Sequence, residues 1–137
     1  MLENGSLFFY MDLSKCRGLD STFMGMLVDI HKKYRARNGC LWVSNPTANA
    51  RKQLTTLGVT EIVDVRDYEK PEGFEFEEIS VNAADFDSGS WLRFVKKSHE
   101  NLVSIDQKNR KQFNMFLQNL QTEMQERNIQ CNREEKQ

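Results

Sequence analysis

The chain has 137 residues and a formal net charge of −1. That length suits one compact domain with enough apolar surface to fold alone. The near-neutral balance excludes a global field that would gather nucleic acid or an acidic membrane. Three cysteines, Cys16, Cys40 and Cys131, lack metal-ligand spacing and suit a reduced compartment. No apolar run approaches the roughly 20 residues that span a bilayer, and no secretory leader pattern is present. The expectation is a soluble, cytoplasmic protein.

Met1 to Gly5 read as the last turn of a helix with Gly5 as its C-cap, which suggests a start inside a larger domain. Leu7 to Met11 form a continuous apolar run, predicted to be a strand buried on both faces. A polar loop follows, with Ser14, Lys15, Cys16, Arg17 and Gly18. Asp20, Ser21 and Thr22 are then three consecutive N-cap candidates. Phe23, Met26, Leu27, Ile30 and Tyr34 recur at helical spacing, predicting a helix over about 21–37 that Asn38-Gly39 ends. Cys40 to Val43 read as a second strand, so the three elements make a βαβ unit with parallel strands. Thr47 is expected to cap a short helix carrying Ala50, Leu54 and Leu57, with Gly58 at its end. Glu61 to Val65 read as a third strand. The pattern is α/β, a layer of short, mostly parallel strands with helices.

Beyond residue 66 the composition shifts. Residues 67–90 carry Pro71, Gly73 and Gly89 and an acidic cluster, and read as a linker or, at Phe74, Phe76 and Ile79, an edge strand. Ser90 is expected to cap a helix over about 91–105, with Trp91, Phe94, Val95, Leu102 and Val103 buried. Asp106 is expected to cap another over about 107–127, with Phe113, Phe116, Leu117, Leu120 and Met124 as its stripe. The two helices form a helical extension, 91–128, that folds as a hairpin or packs on the sheet, and the tail 129–137 reads as disordered.

The run MDLSKCRGLDSTFMG, followed by CLWVSN and PTANARKQLTTLGVTEIVDV, resembles the STAS domain, the fold of bacterial anti-sigma-factor antagonists. The features that match in order and spacing are Asp20-Ser21-Thr22, Asn45-Pro46, Arg51 and Leu57-Gly58-Val59. The resemblance covers residues 1–66 and implies a partial STAS core. Because that family carries two strands and a helix before the central strand, it also implies a domain incomplete at its N-terminus, whose open sheet edge invites self-association. Phe23 departs from the glycine usual after the signature.

What the resemblance implies is non-enzymatic partner switching. The partners would be an anti-sigma factor that is also a serine kinase, and a PP2C-type phosphatase. Ser21 would be the phosphorylated residue, with Asp12, Asp20, Ser21, Thr22, Phe23 and Met24 in the partner-binding surface and Thr22 a weaker second acceptor. Read without the family, Ser21 is a plain helix cap, Asp20 caps the same helix and Asp12 ends a strand.

Other chemistries have less support. His31 and His99 read as solvated helix positions without metal-ligand partners. Ser21 with a remote histidine lacks the Gly-x-Ser-x-Gly elbow of a hydrolase. No phosphate-binding glycine loop occurs, and the basic run 31–37 has its one aromatic, Tyr34, on the apolar stripe of the helix rather than the interleaving expected of a nucleic-acid surface. No cofactor or metal is expected, and neither is direct contact with nucleic acid or membrane. One alternative is a phosphotransfer receiver using Asp12 and Asp20 with a divalent cation. Another is a scaffold protein whose serine site is inactive.

Overall fold

The computed structural model describes residues 8–67, 84 and 86–127. The described chain is an α/β unit of three parallel strands and four helices. In order these are β1 (Phe8–Asp12), α1 (Ser21–Arg35), β2 (Cys40–Ser44), α2 (Ala48–Thr56), β3 (Asp64–Arg66), α3 (Ser88–Ile105) and α4 (Gln107–Glu126). The sheet order is β1-β2-β3, with Phe9 opposite Leu41 and Met11 opposite Val43. The crossovers through α1 and α2 step the same way across the sheet, and a shared right-handed sense puts both helices on one face.

That face holds the main core. Met11, Leu41 and Val43 from the sheet meet Leu27 and Val28 of α1, Ala50 and Leu54 of α2, and Leu102 and Phe113 of α3 and α4. The C-terminal helices are therefore not an appendage to a finished core; they complete it. Alternate residues of β1 and β2 point the other way, where Phe8, Tyr10 and Trp42 cluster with ring centroids 5.2 and 6.5 Å apart along the series. The expected burial of the first strand on both faces does not hold, since Phe8 is 55% exposed.

Caps explain where the helices begin. Asp20 accepts the Phe23 N–H at 2.8 Å and starts α1, so Ser21 is its first helical residue. Thr47 caps α2 and Asp106 caps α4, as their positions predict. Asp87 rather than Ser90 starts α3, three residues earlier than expected. Gly58 ends the α2 segment at φ +81°, a left-handed conformation that costs glycine little. The expected third strand is shifted. Val59–Glu61 form a single 3-10 turn that plants Val59 in the core, and pairing to β2 begins only at Asp64. The expected edge strand at 74–79, the start of the chain and the tail lie outside the described residues.

Two helix contacts set the position of α3. Gly25 of α1 lies against the main chain of Ser98, where an added Cβ would come within 2.7 Å of Ser98 Cα and closer still to its carbonyl. Further along, Lys32 Nζ donates to Asn101 Oδ1 at 3.1 Å and to Ser104 Oγ at 2.7 Å. At the far end of α3, Asn109 Nδ2 donates to the carbonyls of Leu57 and Leu102, both at 2.8 Å. One buried side chain thus ties the start of α4 to the end of α2 and to α3.

Candidate functional site

The site lies where β1 delivers the chain to the start of α1, at the carboxyl end of a parallel strand. The connecting loop is strapped to α2. Gln53 both accepts from Leu19 N–H and donates to Leu19 C=O, each at 2.7 Å. Thr47 Oγ1 donates to Cys16 C=O at 3.1 Å while accepting the Ala50 N–H, and Asn49 Nδ2 donates to Arg17 C=O at 3.1 Å. Leu13 and Leu19 are buried at the two ends of the loop. A polar loop is thus given the main-chain partners that a sheet or helix would otherwise supply.

On that support, Asp20 is exposed, and Ser21 and Thr22 are half-buried. Phe23 turns inward and packs against the core. Met24 is 4% exposed and belongs to the core, so of the six candidate contact residues it is the one that presents no surface. Asp12, at the end of β1, accepts the Ser14 N–H at 2.9 Å. Both carboxylates of the receiver-like alternative, Asp12 and Asp20, are therefore engaged in local turns. Among the described residues no group of three His, Cys, Asp or Glu side chains could hold a metal ion.

The residue that sequence reasoning misplaced is His99. It is not solvated but 3% exposed, and its Nε2 is 2.7 Å from Ser21 Oγ. Its Nδ1 is 2.8 Å from the Val95 carbonyl oxygen, which can only accept, so Nδ1 carries a proton. Burial lowers the ring's pKa below its ordinary 6.5, outweighing the upward pull of the Val95 hydrogen bond and of Asp20. The ring is therefore neutral near pH 7, Nε2 offers a lone pair, and the Ser21 hydroxyl donates to it. Two rings of α4 also contact the imidazole, with Phe113 5.0 Å and Phe116 4.6 Å from it between centroids. A signal was present: His99 stands four residues after Val95 and three before Leu102, on the stripe that the helix buries.

This arrangement can do two things chemically. The imidazole can take the Ser21 proton when Oγ attacks an electrophile. It also senses what is attached to that oxygen. The groove between α3 and α4 lined by Lys96, Glu100, Leu117 and Gln121 includes neither Ser21 nor His99. His31, in contrast, stays on the α1 surface side, with its pKa lowered by burial and then by Arg35 and Lys32.

No protein-family model matches the chain, and no curated protein and no solved structure matches it either. Among the described residues, no helix is long and apolar enough to cross a membrane.

Proposed function

We propose that the chain is a non-enzymatic regulatory module of the STAS-like, partner-switching kind. The loop at 14–20 and the first turn of α1 bind a regulator, an anti-sigma factor with serine kinase activity. Phosphorylation of Ser21 gates that binding and a PP2C-type phosphatase reverses it. The observation that supports this reading is the presentation of Ser21: a half-buried hydroxyl in the first turn of a fifteen-residue helix, beside an exposed aspartate, on a loop held by α2. A phosphate there would add about 1.5 to 2 negative charges. The start of a helix tolerates such charge, because its dipole and N–H groups favour anions. The docking partner, fitted to a neutral hydroxyl, does not. A loss of about 3 kcal/mol is roughly a hundredfold in affinity, enough for a switch.

The experiment is capture from native lysate by wild type, Ser21→Ala and Ser21→Asp, with phosphosite mapping of the wild type. The reading predicts that Ser21→Ala retains a kinase-like partner, that Ser21→Asp loses it, and that phosphate maps to Ser21. A second reading draws on the Ser21–His99 hydrogen bond itself. On it the serine is a structural tie and the protein a scaffold. Three baits that capture alike, with Ser21 never modified, would favour that reading.

A further inference from the structure

The nitrogen that faces Ser21 can serve that serine in either of two chemical states. The Val95 carbonyl holds the ring's Nδ1 proton, so the tautomer is set. Nε2, 2.7 Å from Ser21 Oγ, is the atom left to respond. Toward a hydroxyl it accepts. Toward a phosphate, which presents acceptor oxygens, a lone pair is the wrong partner and a donor is required. An imidazole supplies either by taking up one proton, without turning its ring. The surroundings favour that use. Asp20 precedes Ser21, so a phosphate would set its charge beside a carboxylate. The lysines of α1 and α3 already have partners. Lys32 donates to Asn101 and Ser104, Lys33 and Lys97 lie 2.9 and 4.0 Å from Asp29, and Lys96 pairs with Glu100. Arg93 donates to Ser90. Ser21 itself is half-buried, which leaves a phosphate room toward solvent while one oxygen keeps the contact with Nε2.

We propose that His99 is the counter-ion of a phosphorylated Ser21: Nε2 accepts from the hydroxyl in one state and, protonated, donates to the phosphate in the other. This rests on Ser21 being the modified residue, as proposed above. The protons balance. Transfer from a nucleoside triphosphate forms the Oγ–P bond and sends the electrons of the broken P–O bond to the departing diphosphate. It also frees the Oγ proton, which stays on Nε2, so the site gains an anion and a cation together. Several groups act on the ring in that state. The phosphate and Asp20 from α1 favour the charged form, as does the Val95 carbonyl on its own helix. Phe113 and Phe116 of α4 bring no charge. Burial opposes the charge and prevails while Ser21 is a hydroxyl; a phosphate in hydrogen-bond contact adds the larger effect. Phosphorylation therefore reverses the sign of the link between His99 and pH. In the unmodified chain the folded pKa lies below the ordinary 6.5, and the contribution of His99 to stability is lost on acidification. In the phosphorylated chain it lies above 6.5, so the contribution is complete below that pH and is lost as pH rises through the raised value.

The test is NMR titration of the full chain with phosphoserine installed at position 21, beside the unmodified chain and His99→Gln with and without the phosphate. Glutamine can hydrogen-bond to a hydroxyl or to a phosphate but carries no charge. The chain holds two histidines, so the variant also assigns their signals. Phosphoserine should raise the His99 midpoint by about 1–3 pH units and leave that of His31 close to its own value. The phosphorus resonance should titrate at lower pH in the wild-type background than in His99→Gln, because the two groups share one coupled titration. The difference in urea midpoint between wild type and His99→Gln should grow on acidification with the phosphate and shrink without it. A His99 midpoint that stays or falls refutes the pair, as does a phosphorus titration that is the same in both backgrounds. Should His99→Gln fail to fold, the His99 midpoint of the phosphorylated wild-type background decides alone. Because the phosphoserine is installed directly, neither kinase nor partner takes part. Partner loss with unmoved His99 signals therefore leaves the switch standing and refutes the pair. A raised midpoint in a protein whose native Ser21 is never modified supports the pair and refutes the switch.

Discussion

Replacing Gly25 by alanine tests the seam between α1 and α3 most directly. Two effects oppose each other. Alanine in a helix interior is favoured over glycine by about 1 kcal/mol, so on an isolated helix the change would stabilise. Here the new Cβ would come within 2.7 Å of Ser98 Cα, well inside the 3.4–4 Å of ordinary contact. The obstacle is main chain on both sides, so no rotamer relieves it. The helices must separate by about an ångström, which in a packed core costs about 3 kcal/mol or more. The net expectation is a loss of about 2 kcal/mol, seen as a melting point lower by about 6–10 °C at this chain length. The separation also stretches the Ser21–His99 hydrogen bond one turn away, so the His99 ring signals should move with the stability change. Urea titration of wild type and Gly25→Ala, with histidine signals followed by NMR, reads both. A variant as stable as wild type, with unmoved His99 signals, would refute the close crossing and the seam drawn from it.

Three further outcomes follow from the same contacts. Ser21→Ala leaves His99 Nε2 without its donor in a buried site and should cost about 1–2 kcal/mol in urea titration, so a purely exposed serine would be recognised by no change. Asn109→Ala strips two buried carbonyls of their donor and should cost about 3 kcal/mol by the same assay. Because His99 has a lowered pKa, the unfolded chain takes up its proton first as pH falls. Its contribution to stability is complete above about pH 6.5, declines as pH drops through 6.5 towards the folded value, and flattens below it. The groups acting on the ring are Asp20 and Ser21 at the start of α1, the Val95 carbonyl, and the Phe113 and Phe116 rings of α4. Since His31 also titrates low, the check is the difference in urea midpoint between wild type and His99→Gln across pH 7 to 5, which should shrink or reverse on acidification.

Much of this architecture was legible because it is written in local terms. The apolar runs at 7–11 and 40–43 and the intervening amphipathic stretch give the βαβ unit. Thr47 and Asp106 begin helices where side-chain oxygens can reach N–H groups three or two residues on. Where candidates crowd together, local rules do not choose among them. Asp20 caps α1 although Ser21 and Thr22 are equally suited by type, and Asp87 pre-empts Ser90. The run Glu61–Val65 has strand composition, yet Ile62 and Val63 pack on the core around a 3-10 turn, a tertiary preference that no strand scale contains. His99 was missed for the same reason. Its burial depends on a serine 78 residues away and on rings of the next helix, so an imidazole on a helix bearing several charges reads as solvated. The strap of Gln53, Asn49 and Thr47 on the loop is likewise a long-range fact carried by ordinary polar residues.

The shared core has a consequence for how the protein is made. The core that β1, α1, β2 and α2 build is complete only once Leu102 and Phe113 join it. At translation rates of about 5–20 residues per second, the stretch between β3 and Phe113 takes roughly 2–10 s to emerge. For that interval a nearly complete sheet waits on the ribosome with one wall missing. Its apolar surface is then open to chaperones and to other nascent chains. A stop codon before α4 would therefore yield an aggregation-prone product rather than a smaller working module.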